Sequence, residues 1–115
     1  MTLNFWKMNG AGNDFVMLDN RDCSLNLTGD VIARICDRHR GVGADGLLAV
    51  EPAENDGDFR MRYYNADGGE AEMCGNGARC FARFVNRLHG DALPTLKFET
   101  MAGMISAEFE GDQVR

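Results

Sequence analysis

The sequence predicts an α+β domain, in which a mostly antiparallel sheet curls around a central helix. Two observations support this class. Several segments alternate apolar and polar residues with the two-residue period of strands, and only two segments place apolar residues at helical spacing. The second of these, from Ala78 to Leu88, carries an apolar stripe that a curled sheet would bury. The 115 residues, 44% of them hydrophobic, suffice for one compact domain.

The elements follow in order, separated by turn-forming residues. Residues 3–8 and 15–19 are predicted to form a hairpin-like pair of strands around a glycine-rich turn. Thr28 or Asp30 then caps a first helix that runs to about Arg38. The buried stripe of this helix is expected at Val31, Ile32, Ile35 and Cys36, and later strands at residues 47–50, 59–63, 95–99, 104–110 and 113–115.

One glycine-rich segment matches the letters of a dinucleotide-binding motif but not its structural context. Residues 41–46 read Gly-Val-Gly-Ala-Asp-Gly, yet they follow a helix and precede a strand. A phosphate-binding turn requires the reverse order, from strand to helix. We therefore interpret this segment as a structural loop near the functional site.

The composition excludes several classes of protein. With 18 acidic and 12 basic residues the net charge is −6, so nucleic acid is not expected as a partner. No stretch approaches the roughly 20 apolar residues of a membrane span, and the N-terminus lacks a secretory signal. The chain is expected in the reducing cytoplasm, with its cysteines as thiols. No metal is expected, because Cys36 and His39 lack the paired spacing of zinc ligands.

The stretch that points most clearly to chemistry is residues 65–80. Turn formers end a strand at its start, and Cys74 then stands just ahead of the predicted helix, followed by Gly-Asn-Gly. The first N–H groups of a helix lack internal acceptors and its dipole favours negative charge, so this position suits a carboxylate ligand and a thiolate. The dipole contributes at most about 2 kcal/mol, which moves the pKa of the thiol toward neutrality. Cys74 is therefore predicted to alternate between base and acid, although Glu70 and Glu72 would oppose the shift if they face it.

Three motifs stand in register along the chain. They are residues 7–15, Lys-Met-Asn-Gly-Ala-Gly-Asn-Asp-Phe; residues 38–46, Arg-His-Arg-Gly-Val-Gly-Ala-Asp-Gly; and the Asn-Ala-Asp-Gly and Cys-Gly-Asn-Gly-Ala-Arg-Cys segments of residues 65–80. Together they resemble the N-terminal half of diaminopimelate epimerase, a family of two-cysteine enzymes that need no cofactor. The resemblance implies that residues 1–115 form a single N-terminal domain of that fold. It also implies a second, C-terminal domain, absent from this chain, that carries the second cysteine.

The resemblance further implies the reaction, which interconverts LL- and meso-diaminopimelate in lysine and cell-wall precursor biosynthesis. Moving the α-proton between faces requires one base and one acid on opposite sides of the carbon. Cys74 would be one of this pair, and the backbone N–H groups of Gly75 and Asn76 would stabilise the carbanion through the α-carboxylate. Asn13 and Asn65 would hold polar ends of the substrate. Without the resemblance, Asn13 would be interpreted as a turn residue that bonds its own backbone.

The other cysteines are interpreted as structural. Cys80 lies six residues beyond Cys74 and belongs to the apolar stripe of the second helix. Six helical residues rise about 9 Å, so the two sulfurs cannot face one another across a single carbon. Cys23 and Cys36 are likewise expected to play no part in the chemistry.

Two hypotheses about function remain open at this point. In the first, the chain is the N-terminal half of the epimerase and is inactive alone. In the second, it is a non-catalytic binding or assembly module that self-associates through an exposed apolar inner face. A variant of the second pairs two copies as a homodimer, so that Cys74 of each faces one substrate. A downstream reading frame with a second cysteine-containing half would favour the first.

Overall fold

The chain forms nine elements of secondary structure over the part that is described. A computed structural model describes residues 5–10, 12–55, 57–71, 75–90, 94–101, 103–110 and 113–114. Each predicted strand and helix overlaps an observed element, which confirms the α+β class. In order the elements are β1 Trp6–Gly10, β2 Asn13–Asp19, α1 Gly29–Cys36, β3 Gly46–Pro52, β4 Phe59–Asn65, α2 Gly75–Leu88, β5 Thr95–Thr100, β6 Gly103–Glu110 and β7 Gln113–Val114.

The strands lie side by side in chain order, from β1 to β7. Four neighbouring pairs are antiparallel, which confirms a mostly antiparallel sheet, but β2–β3 and β4–β5 are parallel. Parallel neighbours need a crossover connection. Here each crossover is a helix, since α1 links β2 to β3 and α2 links β4 to β5. These two parallel pairs leave no local signal in the sequence and were not predicted.

The two helices cover opposite faces of the sheet. Alternate residues of β2 show this, because Phe15 and Met17 pack with α2 whereas Val16 and Leu18 pack with α1. β3 is buried on both faces in the same way, as is typical of parallel strands. The α2 side holds the larger core, to which the helix contributes the buried residues Cys80, Phe81, Ala82, Phe84 and Val85.

The sheet curls around α2, as predicted. The helix contacts β1 at one edge of the sheet, β7 at the other, and β2 and β3 between them. Phe81 packs on Phe98 of β5 with 4.8 Å between ring centroids, and Phe84 packs on Trp6 of β1 at 5.0 Å. The inner face of the sheet is filled by α2. Over the described residues, the exposed apolar inner face that the self-association hypothesis required is therefore not found.

The structure shows which of the two predicted residues caps α1, and it shows that one residue predicted to be buried is exposed. Thr28 is the N-cap, because its Oγ1 accepts a hydrogen bond from the Val31 N–H at 3.3 Å. Ile32 and Cys36 are buried as predicted, but the Val31 side chain is 40% exposed. The short helix meets the sheet along the line from Ile32 to Cys36, and Val31 is rotated about 100° from that line.

Candidate functional site

The predicted substrate-binding asparagines lie at one end of the sheet. In the strand register, Phe15 is beside Gly46, and Gly46 is beside Asn65. Asn13 begins β2, two residues before Phe15, and Asn65 ends β4. With about 4.8 Å between neighbouring strands, the two asparagines are on the order of 10 Å apart, which is the scale of a small-molecule ligand.

Both side-chain amides are accessible to a ligand. Asn13 is half-buried and Asn65 is exposed, and neither amide hydrogen-bonds another residue in the described part of the chain. Asn13 is the first residue of β2 and pairs with Gly10 of β1, so it is not a turn residue that bonds its own backbone. Because Phe15 faces α2, the alternation along the strand places Asn13 on that face as well.

A tight turn follows Asn65 and reverses the chain, so that Glu70 lies beside Tyr64. The Asn65 carbonyl accepts a hydrogen bond from the Gly68 N–H at 2.9 Å, and the Asn65 N–H donates to the Gly69 carbonyl at 2.9 Å. Gly68 has φ +94° and packs directly against Gly29, the first residue of α1. A Cβ at position 68 would lie 2.8 Å from the Gly29 carbonyl carbon and closer still to its oxygen. Contact between two glycines therefore fixes the turn that carries Asn65.

The N-terminus of α2 begins at Gly75, one turn before the apolar stripe that predicted the helix. Gly75 and Asn76 are its first two residues, so their N–H groups belong to the turn that lacks intrahelical acceptors. The helix has no acidic residue in its first turn, so the positive end of the dipole is not neutralised from within the helix. Cys74 and Glu72 lie outside the described residues. The described structure thus begins with the helix terminus at Gly75, immediately after the cysteine in sequence.

Glu70, which the sequence placed near this terminus, is paired on the other side of the sheet. Its carboxylate accepts hydrogen bonds from Arg62 Nη1 at 3.0 and 3.3 Å, while Arg62 Nε donates to Glu51 at 3.0 Å. The pKa of Arg62 is raised above its ordinary value, first by Glu70 and then by Glu51. Arg62 follows Met61 in β4, and neighbouring residues of a strand point to opposite faces. Because Met61 packs with α2, Arg62 and its two carboxylate partners lie on the α1 face. Pairing with Arg62 reduces the opposition that Glu70 would offer to a thiolate at the α2 terminus.

A charged cluster lies directly behind Asn13 and was not predicted. The Asp14 carboxylate accepts two hydrogen bonds from Arg38, at 3.0 and 3.3 Å, and one from the Asp45 N–H at 2.9 Å, and it pairs with Lys7 at 3.2 Å. Hydrogen bonding by Arg38 holds the pKa of Asp14 well below its usual range. The cluster joins the first motif to the second, since Lys7 and Asp14 belong to one and Arg38 and Asp45 to the other.

The other three cysteines are present as thiols. Cys80 and Cys36 are buried in the two cores, where burial raises the pKa of Cys36, while Cys23 is an exposed thiol in a turn. Within the described ranges, no three potential metal-ligating side chains form a group. In the same part of the chain, neither helix has the length and apolar character to cross a membrane.

Comparisons with known sequences agree on one family. The family model described as diaminopimelate epimerase matches residues 5–115. The diaminopimelate epimerase of Nitrosospira multiformis is 46% identical to this chain over 97% of it and 40% of the relative's own length. That of Aromatoleum aromaticum is 50% identical, over 97% and 41% of the two chains. The chain therefore spans about two fifths of the length of these curated relatives.

Solved structures show the same fold at much lower sequence identity. A hydroxyproline epimerase from Agrobacterium vitis superposes with a TM-score of 0.69 at 14% identity, over 95% of this chain and 38% of its own. A PhzF-family phenazine biosynthesis protein from Enterococcus faecalis gives 0.72 at 13% identity, over 96% and 41%. These likenesses establish the fold alone. Because the family model covers nearly the whole sequence, this chain belongs to the diaminopimelate epimerase family.

Proposed function

We propose that the chain supplies one half of the active site of an epimerase that interconverts LL- and meso-diaminopimelate without a cofactor. The observation that carries the proposal is that Asn13 and Asn65 lie at one end of the sheet in a member of this family. Residues 1–115 would form the N-terminal domain, and the other half would come from a second domain. The alternative, a non-catalytic assembly module, has no support from the relatives or from the filled inner face of the sheet.

The proposed chemistry is a proton transfer at the α-carbon. The Cys74 thiolate takes the α-proton and becomes a thiol, and the electron pair of the broken C–H bond is delocalised into the α-carboxylate. A second acid, on the opposite side of the carbon and outside this chain, returns a proton to the other face. No bond other than C–H and S–H is made or broken, which is why no redox or carbonyl cofactor is required.

The start of α2 would stabilise the charge that develops in this step. The N–H groups of Gly75 and Asn76 have no intrahelical acceptors and would donate to the carboxylate as its negative charge grows. The same dipole favours the thiolate of Cys74. Asn13 and Asn65 would bind the polar groups of the substrate and hold the α-carbon in place. A reducing cytoplasm would keep the thiol in its active state.

The proposal is tested by joining this chain to the part of the Nitrosospira multiformis relative that it does not match. The fusion, incubated with LL-diaminopimelate in D₂O under reducing conditions, should form the meso isomer and incorporate deuterium at the α-carbon. Cys74→Ala should lower the rate at least about 100-fold, whereas Cys23→Ala, which removes an exposed thiol, should not change it.

Two further outcomes of this experiment decide between the hypotheses. A folded fusion that neither exchanges nor epimerises, beside a fully active parent enzyme, would contradict the proposal. The 115-residue chain alone should show no exchange, because it holds one acid–base group of the two. Exchange by the chain alone that disappears in Cys74→Ala would instead indicate that two copies pair around one substrate, and sedimentation would then show a dimer.

A further inference from the structure

The start of β2 is held by a reciprocal pair of aspartates. The Asp14 N–H donates to the Asp45 carboxylate at 3.1 Å, and the Asp45 N–H donates to the Asp14 carboxylate at 2.9 Å and to the Asp14 carbonyl at 3.1 Å. These bonds lie one residue beyond the last regular pair of the parallel ladder, Phe15 with Gly46. Each aspartate thus ties its side chain to the backbone of the other.

Arg38 and Lys7 close the arrangement from outside. Arg38 contacts both aspartates, with its Nη2 at 3.0 Å from Asp14 Oδ1 and 3.2 Å from Asp45 Oδ1. Lys7, on the neighbouring strand β1, reaches the second Asp14 oxygen at 3.2 Å. The Asp14 side chain is only 15% exposed, whereas that of Arg38 is 55% exposed. Asp14 is therefore the centre of the cluster, and three separate segments of chain meet on it.

Successive residues of a strand point to opposite faces. Asp14 lies on the α1 face with Val16 and is fixed there, so its neighbour Asn13 must present its amide on the α2 face. Asn13 is also the terminal residue of β2, and Gly12 before it has φ +100°. Terminal residues of strands open readily unless something fixes them. The cluster supplies that restraint from the face that the substrate does not occupy.

We propose that Asp14 is a positioning residue for Asn13, acting with Arg38 and Asp45. Asp14 does not contact the substrate. It fixes the backbone at the start of β2, and this backbone carries the Asn13 amide that binds the substrate. The inference rests on the proposed function, since it assigns Asn13 to the substrate. Misplacement of a binding group by about 1 Å can cost about 100-fold in rate or affinity, so a remote anchor has a measurable effect.

The test uses the ¹⁵N-labelled chain and the isosteric variant Asp14→Asn, with Asp19→Asn as the matched control. Asp19 ends the same strand and pairs with Arg21, far from the site. Hydrogen exchange at the amides of residues 13–15 should accelerate at least about tenfold in Asp14→Asn and stay unchanged in Asp19→Asn. Equal exchange in Asp14→Asn and the unaltered chain would overturn the proposal. Arg38→Gln, at an exposed position, should shift exchange in the same direction if Asp14→Asn does not fold.

Titration of the active fusion with diaminopimelate separates this inference from the proposed function. The Asn13 side-chain signals should move on addition of ligand, and Asp14→Asn should weaken the apparent affinity about tenfold or more, measured well below the melting temperature of both proteins. An unaltered fusion whose signals do not respond counts against the proposed function, and the exchange result then decides the positioning role. Response with equal affinity in both proteins would overturn the positioning role alone.

Discussion

Gly68→Ala should destabilise the chain more than a glycine-to-alanine change at an open position of similar backbone conformation. Gly68 has φ +94°, and a Cβ there would lie 2.8 Å from the carbonyl carbon and 2.9 Å from the Cα of Gly29. Gly12 has φ +100°, with no described atom within 4 Å of its Cβ position. Alanine at either position would have to adopt an unfavourable positive φ, but only at position 68 would its Cβ also collide with Gly29 of α1.

The expected magnitudes follow from these two terms. A left-handed φ costs an L-residue about 1–2 kcal/mol, which applies at both positions. At Gly68 the turn and Gly29 must also separate by about 1 Å, and forced shifts of packed groups cost about 1–3 kcal/mol. We therefore expect a loss of about 2–5 kcal/mol in the free energy of unfolding for Gly68→Ala and about 1–2 kcal/mol for Gly12→Ala.

Urea denaturation followed by far-ultraviolet circular dichroism measures both changes. The free energy of unfolding of Gly68→Ala should fall below that of Gly12→Ala by at least about 1 kcal/mol. Equal losses would refute the reasoning, because they would mean that the glycine contact places no constraint on the turn. In the active fusion, Gly68→Ala should also raise KM, since the displaced turn begins at Asn65.

The remaining predictions concern the core and the dependence of stability on pH. Phe81→Ala, at a fully buried residue, should cost about 3–5 kcal/mol in urea denaturation, and a loss under about 1 kcal/mol would contradict the core assignment. A hydrogen bond from Arg21 lowers the pKa of Asp19. The ionised Asp19 carboxylate therefore stabilises the fold fully above the pKa that Asp19 has in the unfolded chain. This stabilisation should be lost as the pH falls below about 4, and the loss of stability on acidification should be smaller in Asp19→Asn. Burial raises the pKa of Cys36, so stability should fall as the pH rises above about 8.5, and Cys36→Ala but not Cys23→Ala should reduce that decline.

The sequence predicts the elements of this fold well because each leaves a local signal. Alternation along residues 59–63 marks β4, and the apolar stripe from Ala78 marks α2. The apolar stripe begins only at Ala78, since the Gly-Asn-Gly of residues 75–77 contributes no apolar residue to it, and the observed start at Gly75 agrees with the prediction that Cys74 stands just ahead of the helix. Val31 was assigned to the core in error, because its spacing fits the stripe while the short helix turns it away from the sheet.

The candidate site is predicted only in part. The cysteine and asparagines stand in motifs, so a resemblance identifies them. Asp14 and Asp45 are 31 residues apart and each is an ordinary turn-forming residue in the sequence, so their mutual hydrogen bonds leave no local signal. However, Asp14 lies in the first family motif and Asp45 in the second. That both motifs characterise one family was a signal that these two segments meet. The contact between Gly68 and Gly29 has no such signal, because nothing in the sequence pairs the two glycines.

The parallel pairing of β2 with β3 explains why parts of three distant motifs lie at one end of the sheet. Had β3 followed β2 as a hairpin, its first residues would lie at the opposite end of the sheet from Asn13. The crossover through α1 instead brings Asp45 and Gly46 back beside the start of β2. β4 then runs antiparallel and returns Asn65 to the same end. The direction of each strand therefore decides which motif residues meet there, and the parallel pairing that leaves no local signal in the sequence is what brings the first two motifs together.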